Sequence, residues 1–246
     1  MAQQRLSLAI NGRERLLERR LVPFYTPEAQ PGNGNGHPKL GPVAIVGLGY
    51  VGLPTALALL GGASQITGYD ISDDRLRAIE FGDVDLSELD RARLAEARSD
   101  ENFLLTSDAA ALAAADAVII CVPTPVDERH VPALAALTGA CQTVVAHAHP
   151  GQTIILTSTS FVGTTRQLLV EPLQQRGLTV GTDIYVAFSP ERIDPGNADH
   201  VQRETPRVVG GATTQCALHA ARVIGQLTDS VYLVSSPEAA ELTKLY

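Results

Sequence analysis

VAIVGLGYVGLPTALALL, Val43 to Leu60, puts Gly47, Gly49 and Gly52 at the bend between an apolar strand and a helix. Such a bend is where a dinucleotide pyrophosphate sits. Gly47 allows the tight turn, Gly49 lets phosphate approach bare backbone, and Gly52 lets the helix pack closely on the strand, so that unpaired amides face the anion. Tyr50 and Val51 complete the loop and belong with the glycines as cofactor-binding positions. A second apolar strand, Ile66 to Tyr69, ends in Asp70, roughly the twenty residues beyond the glycines expected of a ribose-binding carboxylate. Asp70 accepts hydrogen bonds from the ribose hydroxyls and repels a 2′-phosphate, which selects NAD over NADP. Arg75 either helps hold a 2′-phosphate or covers the adenine.

The rest of the chain fits a protein that works in water. Its 246 residues are 45% hydrophobic, enough for one large or two small domains. No run approaches the ~20 apolar residues of a membrane span. The first residues, MAQQRLSLAINGRERLLERR, carry arginines throughout and lack the apolar centre of a secretory signal, so the cytoplasm is expected. A formal charge of −8 and the absence of a basic run exclude wholesale binding to a nucleic acid backbone. Cys121, Cys141 and Cys216 are too few and scattered for a disulfide framework or a thiolate metal site, and each reads as an inert, reduced thiol. His147 and His149 would point to different sides of a helix, so no metal is assigned.

Residues 1–41 divide into a short helical pattern, Arg13 to Arg20, and the linker PGNGNGHPKLGP, whose glycines and prolines cannot sustain regular structure. From Pro42 strand and helix patterns alternate. Strands are expected at Val43–Val46, Ile66–Tyr69, Phe103–Thr106, Ala117–Val122, Thr153–Leu156, Ile184–Phe188 and Val231–Val234, with helices to Leu60 and over Asp73–Phe81, Ala133–His147, Thr164–Arg176 and Thr213–Leu227. This alternation implies right-handed crossovers and a Rossmann-like, doubly wound, mainly parallel sheet over residues 42–235, with helices on both faces. A further helix starts near Pro237 with Ser236 as its N-cap and occupies residues 236–246.

Ligands of such a sheet gather at the carboxyl ends of its strands. Pro123-Thr124-Pro125 stiffens one exit and holds the Thr124 hydroxyl towards the nicotinamide end of the cofactor, or is simply a turn. Thr157-Ser158-Thr159-Ser160 sets hydroxyls in a row before a helix, where one of them serves as its cap or several line a site. Ser189-Pro190-Glu191-Arg192-Ile193-Asp194-Pro195-Gly196 is a charged, proline-stiffened segment on the same rim, a surface loop or a substrate site.

Together VAIVGLGYVGLP, GYD, VIICVPTP, TSTSFVGTT, SPERIDPGN, TPRVVGG and EAAELTKLY resemble, in order, the nucleotide-sugar dehydrogenases of the UDP-glucose/GDP-mannose dehydrogenase family, from Val43 to the last residue. SPER followed by PG looks more like the branch oxidising UDP-N-acetylhexosamines, UDP-N-acetylglucosamine or a close epimer, than the UDP-glucose branch with its SPEFL loop. The resemblance implies oxidation of a C6 alcohol to a carboxylate in two NAD-dependent steps, through a cysteine thiohemiacetal and thioester. It implies catalytic roles for Lys244, whose ammonium stabilises negative charge on the C6 oxygen, and for Glu191, which moves a proton through water. Thr159 corresponds to a threonine near the nicotinamide and that water. Pro123 and Thr124 correspond to cofactor contacts, and Glu191, Arg192 and Lys244 to substrate contacts. On bare sequence Lys244 reads equally as a solvated helix lysine and Glu191 as half of a loop ion pair.

The chain departs from the family pattern at Thr157, where many relatives carry glutamate or lysine, and at Ala133, where an aspartate often opens the helix. The asparagine one turn after Lys244 is absent. No cysteine lies in the Gly-x-Cys-x-x-x-Asp motif that holds the family's nucleophile. Two readings follow: the NAD-binding half of a truncated UDP-sugar dehydrogenase, inactive alone and homodimeric only in its longer parent, or an NAD-binding module with a scaffold or regulatory role.

Overall fold

Short apolar runs without polar alternation become strands covered on both faces. They are β1 (Val43–Val46), β2 (Ile66–Tyr69), β3 (Phe103–Thr106), β4 (Ala117–Ile120), β5 (Thr153–Leu156), β6 (Tyr185–Phe188), β7 (Arg207–Gly211) and β8 (Val231–Val234). The computed structural model describes residues 38–125, 133–159, 161–191 and 203–245. Residues 1–37, with the expected helix at Arg13–Arg20, and residues 192–202, with Arg192, lie outside the described residues, while the end of the expected linker is ordered against the domain, Leu40 bridging Ala63.

The strands form one sheet in the order β3-β2-β1-β4-β5-β6-β7-β8. Neighbours are parallel except β6 and β7, which pair antiparallel. The first six strands thus have the doubly wound order, whose switch point falls between β1 and β4. Helices α1 (Gly52–Leu59), α2 (Asp73–Phe81), α3 (Glu88–Ala97) and α6 (Thr214–Ile224) cover one face, packed on Val43, Ile45 and Ile119. On the other face lie α4 (Ala135–His147), α5 (Glu171–Gln175) with the π-type turn Arg166–Val170 that leads into it, and α7 (Pro237–Leu245), over Ala44, Val46, Val118 and Ile120. Among the described residues no helix is long and apolar enough to cross a membrane.

The expected strands and helices stand with boundary shifts of up to three residues, except that the helix expected over Thr164–Arg176 is divided into the π-type turn and the short α5, and three elements were not expected. Strand β7 has only Val208 and Val209 as an apolar run, followed by two glycines, too little to read as a strand. Helix α3, ELDRARLAEA, is highly charged and hides its apolar stripe. Its signal was Ser87 with Asp90 three residues on, an N-cap in which the Asp90 amide donates to Ser87 Oγ at 3.1 Å while Ser87 Oγ donates to Asp90 Oδ2 at 2.8 Å. Ala109–Ala114 forms a 3-10 turn.

Because β7 and β8 run against the other six, the chain leaves β8 at the edge opposite the carboxyl ends of β1–β6. Helix α7 then runs back towards those ends. It lies close on the sheet because of Gly210, where a Cβ would stand 2.1 Å from the Ser236 carbonyl oxygen and 2.9 Å from Ala240 Cβ. Ser236 caps α7 as expected, its Oγ accepting from the Ala239 amide at 3.2 Å.

Candidate functional site

The turn after β1 is built for a ligand that approaches backbone. Gly47 has a φ of +88°, and a Cβ there would lie 3.0 Å from the Cys121 carbonyl oxygen. A Cβ on Gly52 would stand 1.8 Å from the Gly47 carbonyl oxygen, so the helix can start here only on glycine. At Gly49 nothing lies within 4 Å of the Cβ position, leaving the outside of the loop open. Helix α1 has no side-chain cap and no acidic residue in its first turn. Helices α2 and α3 each have a serine cap and acidic first turns. The uncapped amides of α1, at the positive end of its dipole, therefore suit an anion, and the diphosphate of NAD fits them.

Asp70 closes the far side of this turn. Its Oδ2 accepts from the Leu48 amide at 2.8 Å and its Oδ1 from the Ser72 amide at 3.0 Å, so the carboxylate locks the glycine loop to the end of β2. Arg75 Nε donates to the Leu48 carbonyl at 2.7 Å, which ties α2 to the same loop. Asp70→Asn puts an amide NH2 where one backbone donor now points. NAD affinity is expected to fall about tenfold, from the loss of a charge-assisted bond, as calorimetric titration would read. Tyr50 is exposed, and Val51 is half-buried at the start of α1.

The exits of β4, β5 and β6 share the same rim. Pro123 is exposed and Thr124 half-buried after β4. After β5, Thr157 Oγ1 donates to the Ile120 carbonyl at 2.8 Å and stands 3.3 Å from Cys121 Sγ, both groups buried. Ser158 is buried and Thr159 exposed. None of the three caps the following helix. That role falls to Glu241 of α7, whose carboxylate accepts from the Gly163 amide at 2.5 Å and the Thr165 amide at 2.8 Å. A helix N-terminus takes a carboxylate from anywhere in the fold as readily as a hydroxyl from its own loop, and Ser160, the fourth hydroxyl of the run, lies outside the described residues.

Lys244 arrives on the rim from α7, its Nζ donating to the Thr157 carbonyl at 3.2 Å. Glu191, after β6, is buried and ion-paired, with its Oε2 2.6 Å from Arg207 Nη1. The antiparallel register explains the pair. Ala187 faces Gly211 and Phe188 faces Gly210, and the same register carried onward sets 191 opposite 207. Arg207 was not singled out by the sequence, because its role depends on a strand that was not expected. Around the Cys121 thiol, burial outweighs the opposing charges of Glu191, which raises its pKa, and of Arg207 and Lys244, which lower it. Arg192 falls outside the described residues, so the structure does not place it.

The thiols are inert in this setting. Burial pushes Cys121 up to about 12 and Cys141 up to about 12, and Cys216 is buried as well. With a pKa near 12, only about one thiol in ten thousand is ionised at pH 8. A thiol-disulfide reagent is thus expected to find no cysteine in the folded chain and all three after denaturation. A fast-reacting equivalent in the native state would contradict this burial. Among the described residues no group of three or more metal-ligating side chains forms.

Comparison with known proteins follows the same residues. Residues 42–238 match the model of the UDP-glucose/GDP-mannose dehydrogenase family, NAD binding domain. The chain is similar to protein CapL of Staphylococcus aureus, with 35% identity over 205 residues, 82% of this chain and 47% of that protein. It is also similar to the UDP-N-acetyl-D-glucosamine 6-dehydrogenase of Salmonella typhi, with 34% identity over 206 residues, 82% of this chain and 47% of that one. Among solved structures the UDP-D-ManNAc dehydrogenase from Pyrococcus horikoshii superposes with a TM-score of 0.77 at 30% identity, covering 83% of this chain and 49% of that one. The chain spans about half the length of the curated relatives it matches.

Proposed function

The chain belongs to the UDP-glucose/GDP-mannose dehydrogenase family, and on that premise we propose that it carries the NAD-binding domain of an oxidoreductase that turns the C6 alcohol of a UDP-N-acetylhexosamine into the uronate. NAD, when bound, accepts hydride from the C6 carbon in each of two oxidations. The loop that Gly47 turns holds its diphosphate on the amides of residues 49–52 and Asp70 its adenosine ribose, while Pro123, Thr124 and Thr159 line the rim towards the nicotinamide. Lys244 stabilises the negative charge that develops on the C6 oxygen, and Glu191 moves a proton through water when the acyl group is released. Arg192 meets the substrate beside it. The observation that carries this reading is the bond from Lys244 Nζ to the Thr157 carbonyl, which sets an ammonium on the same rim as Glu191 and the glycine loop. The SPER loop and similarity to a UDP-N-acetyl-D-glucosamine 6-dehydrogenase favour an N-acetylhexosamine as the sugar.

The reading further places the protein in the cytoplasm and makes a protein of the curated relatives' full length a homodimer. Because all three thiols are buried and none lies in the family's nucleophile motif, the 246-residue chain by itself is expected to bind NAD without making a uronate. Calorimetry with NAD and an absorbance assay for NADH with UDP-N-acetylglucosamine and UDP-N-acetylmannosamine test both halves. Heat of binding without NADH is the expected result. No NAD binding removes the first half, and NADH formation removes the second.

A further inference from the structure

One face of α7 is fastened to one loop at three successive turns. Glu238 accepts from Arg166 Nε at 2.8 Å, Glu241 from the amides of Gly163 and Thr165, and Lys244 donates to the Thr157 carbonyl. The three residues stand at i, i+3 and i+6, the spacing that keeps side chains on one side of a helix. Glu241 is the central and deepest of them, 1% exposed, and it also accepts from Thr165 Oγ1 at 2.6 Å. A buried carboxylate with three such donors is held far more firmly than a surface pair, because leaving those donors unsatisfied costs more than making any one bond gains.

We propose that Glu241 is a positioning residue for Lys244: by capping the helix after Gly163 it holds α7 and the hydroxyl loop Thr157–Thr159 as one unit, and so fixes the ammonium on the rim. This rests on the reading of Lys244 given above, but its test does not need turnover. The chain has two lysines, Lys39, which is exposed, and Lys244, so acetylation by an N-hydroxysuccinimide ester followed by peptide mass spectrometry compares them within one molecule.

In the unsubstituted chain Lys244 is expected to react more slowly than Lys39. Glu241→Ala should raise the Lys244/Lys39 ratio about fivefold or more and Glu241→Gln, which keeps one acceptor oxygen, about twofold, as the helix end is released. Hydrogen exchange at the Gly163 and Thr165 amides should rise in parallel. A loss of overall stability alone would leave the ratio unchanged under native conditions. A ratio that stays flat while those amides exchange faster overturns the proposal. If the alanine variant does not fold, a flat ratio in Glu241→Gln overturns it equally. Failure of the unsubstituted chain to bind NAD would count against the functional reading, yet the lysine ratio would still decide this one.

Discussion

Gly49→Ala is expected to leave the chain at least as stable as it is and to weaken NAD binding by about a hundredfold or more, because one methyl group displaces the diphosphate from at least two amides worth about 1.5–3 kcal/mol each. The position meets both requirements of such an experiment. No protein atom lies within 4 Å of the new Cβ, so the folded chain has nothing to move, and Gly49 is absent from the residues of positive φ. Alanine also narrows the unfolded ensemble, which adds about 0.4–1 kcal/mol of stability. Gly52→Ala gives the opposite pattern. Its Cβ would stand 1.8 Å from the Gly47 carbonyl oxygen, a backbone atom that cannot rotate away, so destabilisation should exceed the about 1–3 kcal/mol of ordinary overpacking. Thermal unfolding with and without NAD separates them. The unsubstituted chain should melt higher with ligand, Gly49→Ala should melt unchanged with or without it, and Gly52→Ala should melt low in both. If Gly49→Ala still shows the ligand-induced shift, the diphosphate does not lie on that loop.

How far the sequence carried the structure depended on whether each signal was local. The glycine turn, the strand ending in Asp70, the Ser236 cap and the buried runs AVII and TIIL are each specified by a few neighbouring residues, and they stand as read. What escaped is non-local. Strand β7 exists because β6 and β8 flank it, and Arg207 matters only because antiparallel pairing sets it against Glu191. Glu241 reads in sequence as one acid on an amphipathic helix, while in the fold it caps a helix 76 residues earlier in the chain. Lys244 was legible only through its family context; the reversed direction of β7 and β8 is what returns α7 to the carboxyl rim.

Arg207→Met should destabilise the chain by about 3–5 kcal/mol, the effect expected when one member of a buried ion pair is removed and the charge of the other stays buried. Arg207 is 1% exposed and Glu191 7%, so neither partner can turn to water for compensation. The guanidinium is poorly served as it stands. Among the described residues its Nε and Nη2 have no hydrogen-bond partner, and Nη1 meets Glu191 by charge at 2.6 Å rather than in an aligned hydrogen bond. A structure that needed this place only for stability would do as well with two apolar side chains, because two charges taken from water rarely recover their desolvation. The double variant Arg207→Met with Glu191→Leu is therefore expected to regain most of the lost stability, giving a coupling of several kcal/mol in a denaturant-unfolding cycle. Such recovery would mean that the pair is kept for the carboxylate on the rim and not for the fold. If Arg207→Met alone costs less than about 1 kcal/mol, the ion pair is not closed to water, and the burial assigned to Glu191 is wrong.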